Sequence, residues 1–134
     1  MPTAAIVVIV VLVAVLAVLL MRRTAVQTLD GDAAVIEQLR IAGSDLQKPH
    51  TVEFFLYFPS EAGAQHVAEK LGAMGFVPEV KAAAAGSNFP WLLFATRSMV
   101  PTLEELGRLR ILLGELAAAE QGEYDGWGTP IVPK

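Results

Sequence analysis

The side chains of this 134-residue chain that could do catalytic or metal chemistry are few and widely separated. His50 and His66 are its only histidines, and it has no cysteine. Neither histidine has a second histidine at helical spacing or a Glu-x-x-His pattern, as a typical metal site would need. No serine stands in a nucleophile-elbow motif, and no glycine-rich phosphate loop is present. We therefore expect no catalytic residue, no metal and no cofactor; His50 is expected to anchor a loop and His66 to lie on a helix surface.

Aromatic side chains interleaved with carboxylates indicate a different chemistry, the binding of arginine. Arginine stacks on aromatic rings and pairs with carboxylates. We predict a protein-binding face made of nine residues from predicted strands and the C-terminal segment: Glu53, Phe55, Tyr57, Glu79, Trp91, Leu93, Glu123, Tyr124 and Asp125. The alternative is that Phe55, Tyr57 and Trp91 are covered by a helix over 30–42 or by the tail, because monomers usually hide their aromatic patches.

The charge balance favours a basic partner. Of ten Lys and Arg residues, only Arg22 and Arg23 precede residue 24, so residues 24–134 hold eight against fourteen Asp and Glu, a net charge of −6. Aromatics on two strands are also typical of RNA-stacking platforms, but the basic and aromatic signature of an RNA-recognition strand is missing and the charge has the wrong sign. We expect no direct contact with nucleic acid.

The N-terminal segment predicts a membrane helix. Ala4 to Met21 is a run of eighteen residues without a charge, amide or hydroxyl, and as a helix it is roughly 27 Å long, enough to cross a bilayer core. Arg22 and Arg23 follow the run directly, and the positive-inside rule then places the rest of the chain in the cytoplasm. We expect residues 1–23 to form a single inner-membrane span with its positive flank.

Hydrophobic periodicity and capping signals predict the remaining elements. Residues 24–50 read as a linker with a short helix that ends at Gly43. Ser60 is expected to cap one helix, Thr102 to open another with a capping box, and Gly122 to end it. The predicted elements are strands over 51–58, 76–83, 91–98 and 123–127, and helices over 61–74 and 102–121.

This order predicts an α+β fold with a ferredoxin-like antiparallel sheet and helices on one face, over residues 51–128, followed by a tail over 129–134. Alternation places four first-strand residues in the core: Val52, Phe54, Leu56 and Phe58. In the second strand the expected core set is Phe76, Val80 and Ala82. The third strand has apolar residues in both phases: Leu92, Phe94 and Thr96 in one, Trp91, Leu93, Ala95 and Arg97 in the other.

Three segments resemble the regulator of ribonuclease activity B family: G-S-D-L-Q-K-P-H-T-V-E-F-F-L-Y-F-P (43–59), W-L-L-F-A-T-R-S-M-V-P-T-L (91–103) and G-E-Y-D-G-W (122–127). The resemblance covers about residues 30–128. It implies an α/β sandwich and a protein inhibitor that binds endoribonuclease E through the arginine-rich scaffold region of that enzyme. The membrane helix is an addition to the family pattern. The alternative is a membrane-tethered adaptor or assembly protein that uses the same domain to bind an unrelated protein.

Overall fold

A computed structural model describes residues 31–83 and 86–134. Within these two ranges no helix is long and apolar enough to cross a membrane. The predicted membrane span over Ala4–Met21 and its flank Arg22–Arg23 lie outside the described residues.

The elements follow the predicted order, strand, helix, strand, strand, helix, strand, after the described part of a first helix. Residues 31–41 are the described part of helix α1, and Gly43 follows at a φ of 87°, as expected for a helix end that needs a left-handed residue. The other elements are β1 (His50–Phe58), α2 (Glu61–Ala73), β2 (Val77–Ala82), β3 (Trp91–Met99), α3 (Leu103–Ala119) and β4 (Glu123–Gly128).

The four strands form one sheet in the order β2-β3-β1-β4, and every neighbouring pair is antiparallel. This is the order of a ferredoxin-like sheet, so the predicted α+β class and antiparallel sheet are confirmed. Strands β1 and β3 lie in the centre. Their side chains therefore form the middle of each face of the sheet.

The hydrophobic core lies between one face of the sheet and helices α2 and α3. In β1 the side chains alternate, and Val52, Phe54, Leu56 and Phe58 are fully buried, as predicted. The helices contribute a buried stripe at the 3-4 spacing that a helix on a sheet requires: Ala64, Val67, Ala68 and Leu71 from α2, and Leu106, Leu109, Leu113 and Ala117 from α3. Each large apolar side chain buried here stabilises the fold by about 1.5–3 kcal/mol.

Strand β2 is an edge strand, and its core contribution is smaller than predicted. Phe76 is buried, but it precedes the strand instead of belonging to it. Val80 packs against the core as expected, whereas Ala82 is exposed. The reason is position: β2 has a neighbouring strand on one side only, so its residues are less covered than those of the central strands.

The two main helices begin at the predicted caps. Ser60 Oγ accepts from Gly63 N at 3.1 Å, and Thr102 Oγ1 accepts from Glu105 N at 3.2 Å. The predicted capping box at Thr102 is only half formed. Glu105 turns its carboxylate to Arg108, and Thr102 N donates instead to Val100 O at 3.0 Å.

The end of α3 also differs from prediction. The helix ends at Ala119, and the residue in the left-handed region is Gln121, with a φ of 55°, not Gly122. Gly122 has another reason to be glycine: a Cβ there would lie 2.5 Å from Tyr57 O and 2.6 Å from Phe58 Cδ1. The chain enters β4 pressed against β1, and only glycine fits.

Candidate protein-binding face of the sheet

Strand register decides which side chains share a face. Residues paired across β1 and β3 point to the same side, and Phe55 pairs with Phe94 while Tyr57 pairs with Leu92. On β2, Glu79 pairs with Phe94, and on β4, Glu123 pairs with Tyr57. We call the side away from α2 and α3 the outer face; its residues are Glu53, Phe55, Tyr57, Val77, Glu79, Lys81, Leu92, Phe94, Thr96 and Glu123.

Three of the nine predicted site residues lie on the opposite side. Leu93 pairs with Leu56 and is fully buried, and Trp91 pairs with Phe58 and packs against the core. Tyr124 pairs with Leu56 and also packs against the core. The expectation that these residues share a face with Phe55 is wrong, because the pairing with β1 puts them in phase with its buried set.

Asp125 lies at an irregularity of the β1–β4 pairing. Phe55 pairs with Gly126 and Leu56 with Tyr124, which leaves Asp125 as an extra residue in a bulge. Asp125 is exposed beside the outer face. Of the predicted residues, Glu53, Phe55, Tyr57, Glu79 and Glu123 are brought together on the outer face, with Asp125 at its margin.

The residues missed by sequence reasoning are Leu92 and Phe94. The Phe94 ring lies 5.4 Å from that of Phe55, centroid to centroid, so the two form an aromatic pair in the middle of the outer face. The segment W-L-L-F-A is apolar in both phases, so alternation alone could not identify its outward residues. The alternation of β1 could have identified them. Leu56 faces the core, so a β3 residue that pairs with Leu56 must face the core too.

The outer face is partly open. None of its ten residues is buried, whereas the opposite side of β1 is fully buried. The rings of Phe55, Tyr57 and Phe94 are half-buried, so part of each is exposed. Trp91, the third ring of that alternative, is also partly buried, and it packs against the core.

Carboxylates border the aromatic pair. Glu79 is opposite Phe94, Glu123 is opposite Tyr57, and Glu53 precedes Phe55 by two residues on the same face. The cation within the outer face, Lys81, lies with its Nζ 5.3 Å from the centre of the Phe94 ring and 3.7 Å from Glu79 Oε1. Rings and carboxylates therefore already hold one positive side chain.

A second cation–aromatic contact belongs to the other side of the sheet. Arg97 lies over the Phe76 ring at 5.2 Å from its centre and 3.9 Å from Glu105 Oε1. The hydrogen bonds from Arg108 to Glu105 hold the pKa of that carboxyl below its usual range, and the charges of Arg108 and Arg97 add to the effect. This group joins β3 to the start of α3 and has a structural role.

Ser44 and His50 form a pair that superficially resembles a nucleophile and its base. Ser44 Oγ lies 2.6 Å from His50 Nε2, and His50 Nδ1 lies 2.8 Å from Lys48 O. The two residues are only 2% and 1% exposed, so a substrate cannot reach them in this conformation. Ser44 Oγ also accepts from Val132 N at 2.9 Å. His50 therefore anchors the loop, as predicted, and the C-terminal tail is fastened to that loop.

The second histidine, His66, lies away from the outer face. His66 is exposed on α2, as predicted, and its Nδ1 lies 3.2 Å from Glu120 Oε1 at the end of α3. Across the described parts of the chain, no group of three or more His, Cys, Asp or Glu residues is arranged to hold a metal ion.

Comparison with known proteins shows the family of this chain. The sequence profile of the family described as Regulator of ribonuclease activity B matches residues 29–129, which is three quarters of the chain and nearly the range of the resemblance. No curated protein sequence gives a match. The match covers residues 31–41 of α1 as well as the sheet and its two helices. The chain belongs to the Regulator of ribonuclease activity B family.

Proposed function

We propose that this chain binds an endoribonuclease and modulates it, without catalysing a reaction, by holding arginine side chains of the nuclease on the outer face. Family membership supports regulation of a ribonuclease. The observation that carries the mode of binding is the half-exposed Phe55–Phe94 ring pair with Glu79 directly opposite Phe94. A ring beside a carboxylate suits arginine, whose flat guanidinium stacks and whose two nitrogens pair with two oxygens.

The free energy of each contact indicates how many arginines the partner must supply. A cation on an exposed ring contributes about 0.5–1 kcal/mol, and an exposed ion pair contributes about 0–1 kcal/mol. A single arginine would therefore bind too weakly to matter. A segment with several arginines would engage Glu53, Glu79 and Glu123 together, and the net charge of −6 over residues 24–134 would speed the encounter.

The proposal includes a membrane anchor. The support is in the sequence: Ala4–Met21 is uninterrupted by polar residues, and Arg22 and Arg23 follow it. The domain would then face the cytoplasm at the inner membrane, tethered by a single span. A tether raises the local concentration of the domain near partners at the same membrane.

The test is recovery of bound proteins by the full-length chain from detergent-solubilised host membranes, with and without RNA digestion, at low and high salt. An endoribonuclease recovered after RNA digestion, and lost at high salt, is the expected result. Recovery that requires RNA would overturn direct protein binding. Recovery of other membrane proteins without a nuclease would overturn the nuclease target and support the adaptor function.

Two charge-reversal variants test whether the partner contacts the outer face. Glu79→Lys on the outer face should reduce recovery about tenfold, since reversing one charge in a close pair changes binding by more than 1 kcal/mol. Glu115→Lys makes the same change at an exposed position of α3 and should reduce recovery less than about twofold. Equal losses in the two variants would show that only net charge matters.

A further inference from the structure

Lys81 occupies the place on the outer face that suits a bound arginine. Its Nζ lies over the Phe94 ring, 5.3 Å from the centre, and 3.7 Å from Glu79 Oε1. Glu79 and Lys81 are two residues apart on β2, so both side chains are on the same side of the sheet. The ammonium therefore satisfies the same ring and carboxylate that the proposed function assigns to the partner.

We propose that Lys81 is an internal competitor of the partner's arginine, so that binding at this position requires Lys81 to move away from Phe94 and Glu79. The inference rests on the proposed function and concerns the regulation of the same site. It goes further in stating that the site is occupied in the free protein, and that the affinity for an arginine-rich ligand is set partly by the release of Lys81.

The contacts of Lys81 are suited to release. The side chains of Lys81 and Glu79 are 49% and 62% exposed, and ion pairs at such exposure are weak. The other cation over a ring, Arg97, is held from two sides by Phe76 and Glu105 and lies across the sheet. Lys81 is the cation within the outer face, and water can replace both of its contacts when it leaves.

Competition with Lys81 also predicts which side chain of the partner can displace it. A lysine from the partner would replace one ammonium with another and gain little at this position. An arginine gains because its guanidinium stacks on the Phe94 ring and offers two donors to Glu79, which an ammonium cannot do. Lys81 thus sets a threshold that favours arginine-rich segments over lysine-rich segments of equal charge.

The binding test uses the full-length chain in neutral detergent micelles and a fluorescent oligoarginine peptide. Lys81→Gln should tighten binding about threefold to tenfold, because about 1 kcal/mol of internal contact no longer has to be broken. Lys81→Arg should bind no more tightly than the original chain. Lys70→Gln, which removes the same charge from the exposed surface of α2, should change affinity less than about twofold. Equal tightening by Lys81→Gln and Lys70→Gln would overturn the proposal, because it would show a general charge effect.

A second measurement needs no ligand. Ring currents of Phe94 should shift the Lys81 Hε proton resonances upfield relative to those of Lys70, and Phe94→Leu should abolish the shift. Unshifted Lys81 resonances in the original chain would overturn the internal occupancy even if the peptide binds. Shifted resonances with no peptide binding by any variant would overturn the outer face as an arginine site, and with it the competition.

Discussion

At the scale of single residues, Gly122 has no functional group, but its close contact with β1 positions part of the outer face. It lies where the chain leaves α3 and turns into β4, and a Cβ added there would meet Tyr57 O and the Phe58 ring. This close contact between Gly122 and β1 fixes the distance between β4 and β1. It therefore also determines where Glu123 stands relative to Tyr57 on the outer face.

We predict that Gly122→Ala destabilises the fold by about 1–3 kcal/mol, the usual penalty for forcing a methyl group into a packed site. The added Cβ would meet backbone and a core ring, neither of which can move far. Thermal unfolding followed by circular dichroism measures the loss. The matched control is Gly114→Ala in α3, where nothing lies within 4 Å; it should stabilise the helix by about 0.5–1 kcal/mol. A neutral Gly122→Ala variant would contradict the close approach.

At the scale of elements, β3 determines the composition of the outer face. Its residues alternate between the core, where Leu93 is fully buried, and the outer face, where Leu92 is half-buried. A shift of one residue in its pairing with β1 would exchange the two sets completely. The register therefore decides whether Phe94 or one of its neighbours, Leu93 or Ala95, lies opposite Phe55.

Adjacent alanine substitutions test this register. Leu93→Ala should cost about 2–5 kcal/mol of stability because it leaves a cavity beside Leu56, and it should leave affinity for the oligoarginine peptide unchanged while the protein is folded. Leu92→Ala should cost less than about 1 kcal/mol, since its side chain is only half-buried. Denaturant unfolding measures both. If Leu92→Ala were the more damaging substitution, the assignment of the outer face would be reversed.

At the scale of the whole molecule, the proposed function depends on two features: an acidic domain within residues 31–134 and an N-terminal anchor. The first is seen in the sheet with its carboxylate-bordered rings. The second is a proposal from the apolar run over Ala4–Met21 and the arginines after it. Together they would place an acidic surface at the cytoplasmic side of the membrane.

The absence of native cysteine makes the orientation directly measurable with introduced thiols. A cysteine at Lys134 should react with a membrane-impermeant maleimide in inverted inner-membrane vesicles and stay unlabelled in intact spheroplasts. Pro2→Cys should show the opposite pattern, because it precedes the proposed span. Labelling of the Lys134→Cys variant in spheroplasts would refute the cytoplasmic orientation, and release of the chain by alkaline carbonate would refute the span itself.

Much of the fold was predictable from local signals. The alternation in β1, the caps Ser60 and Thr102 and the stripes of α2 and α3 each follow from contacts between residues close in sequence. The element order then restricted the topology to few possibilities. The charges of the site were predictable as well, because Glu53, Glu79 and Glu123 alternate with apolar residues that must face the core.

The tertiary structure decided the rest, for reasons of long-range pairing. Trp91–Ala95 is apolar in both phases, so only its register with β1 shows that Phe94 is outward and that Trp91 and Leu93 are inward. The bulge at Asp125 and the pairing of Tyr124 with Leu56 depend in the same way on a neighbouring strand. The contact of Lys81 with Phe94 joins two strands and has no local signature. Sequence alone determined which residues form each element and which faces of β1 and the helices are buried, because these features depend on residues close in sequence. Only the packed sheet determined which side chains meet on its outer face, because that depends on pairing between distant strands.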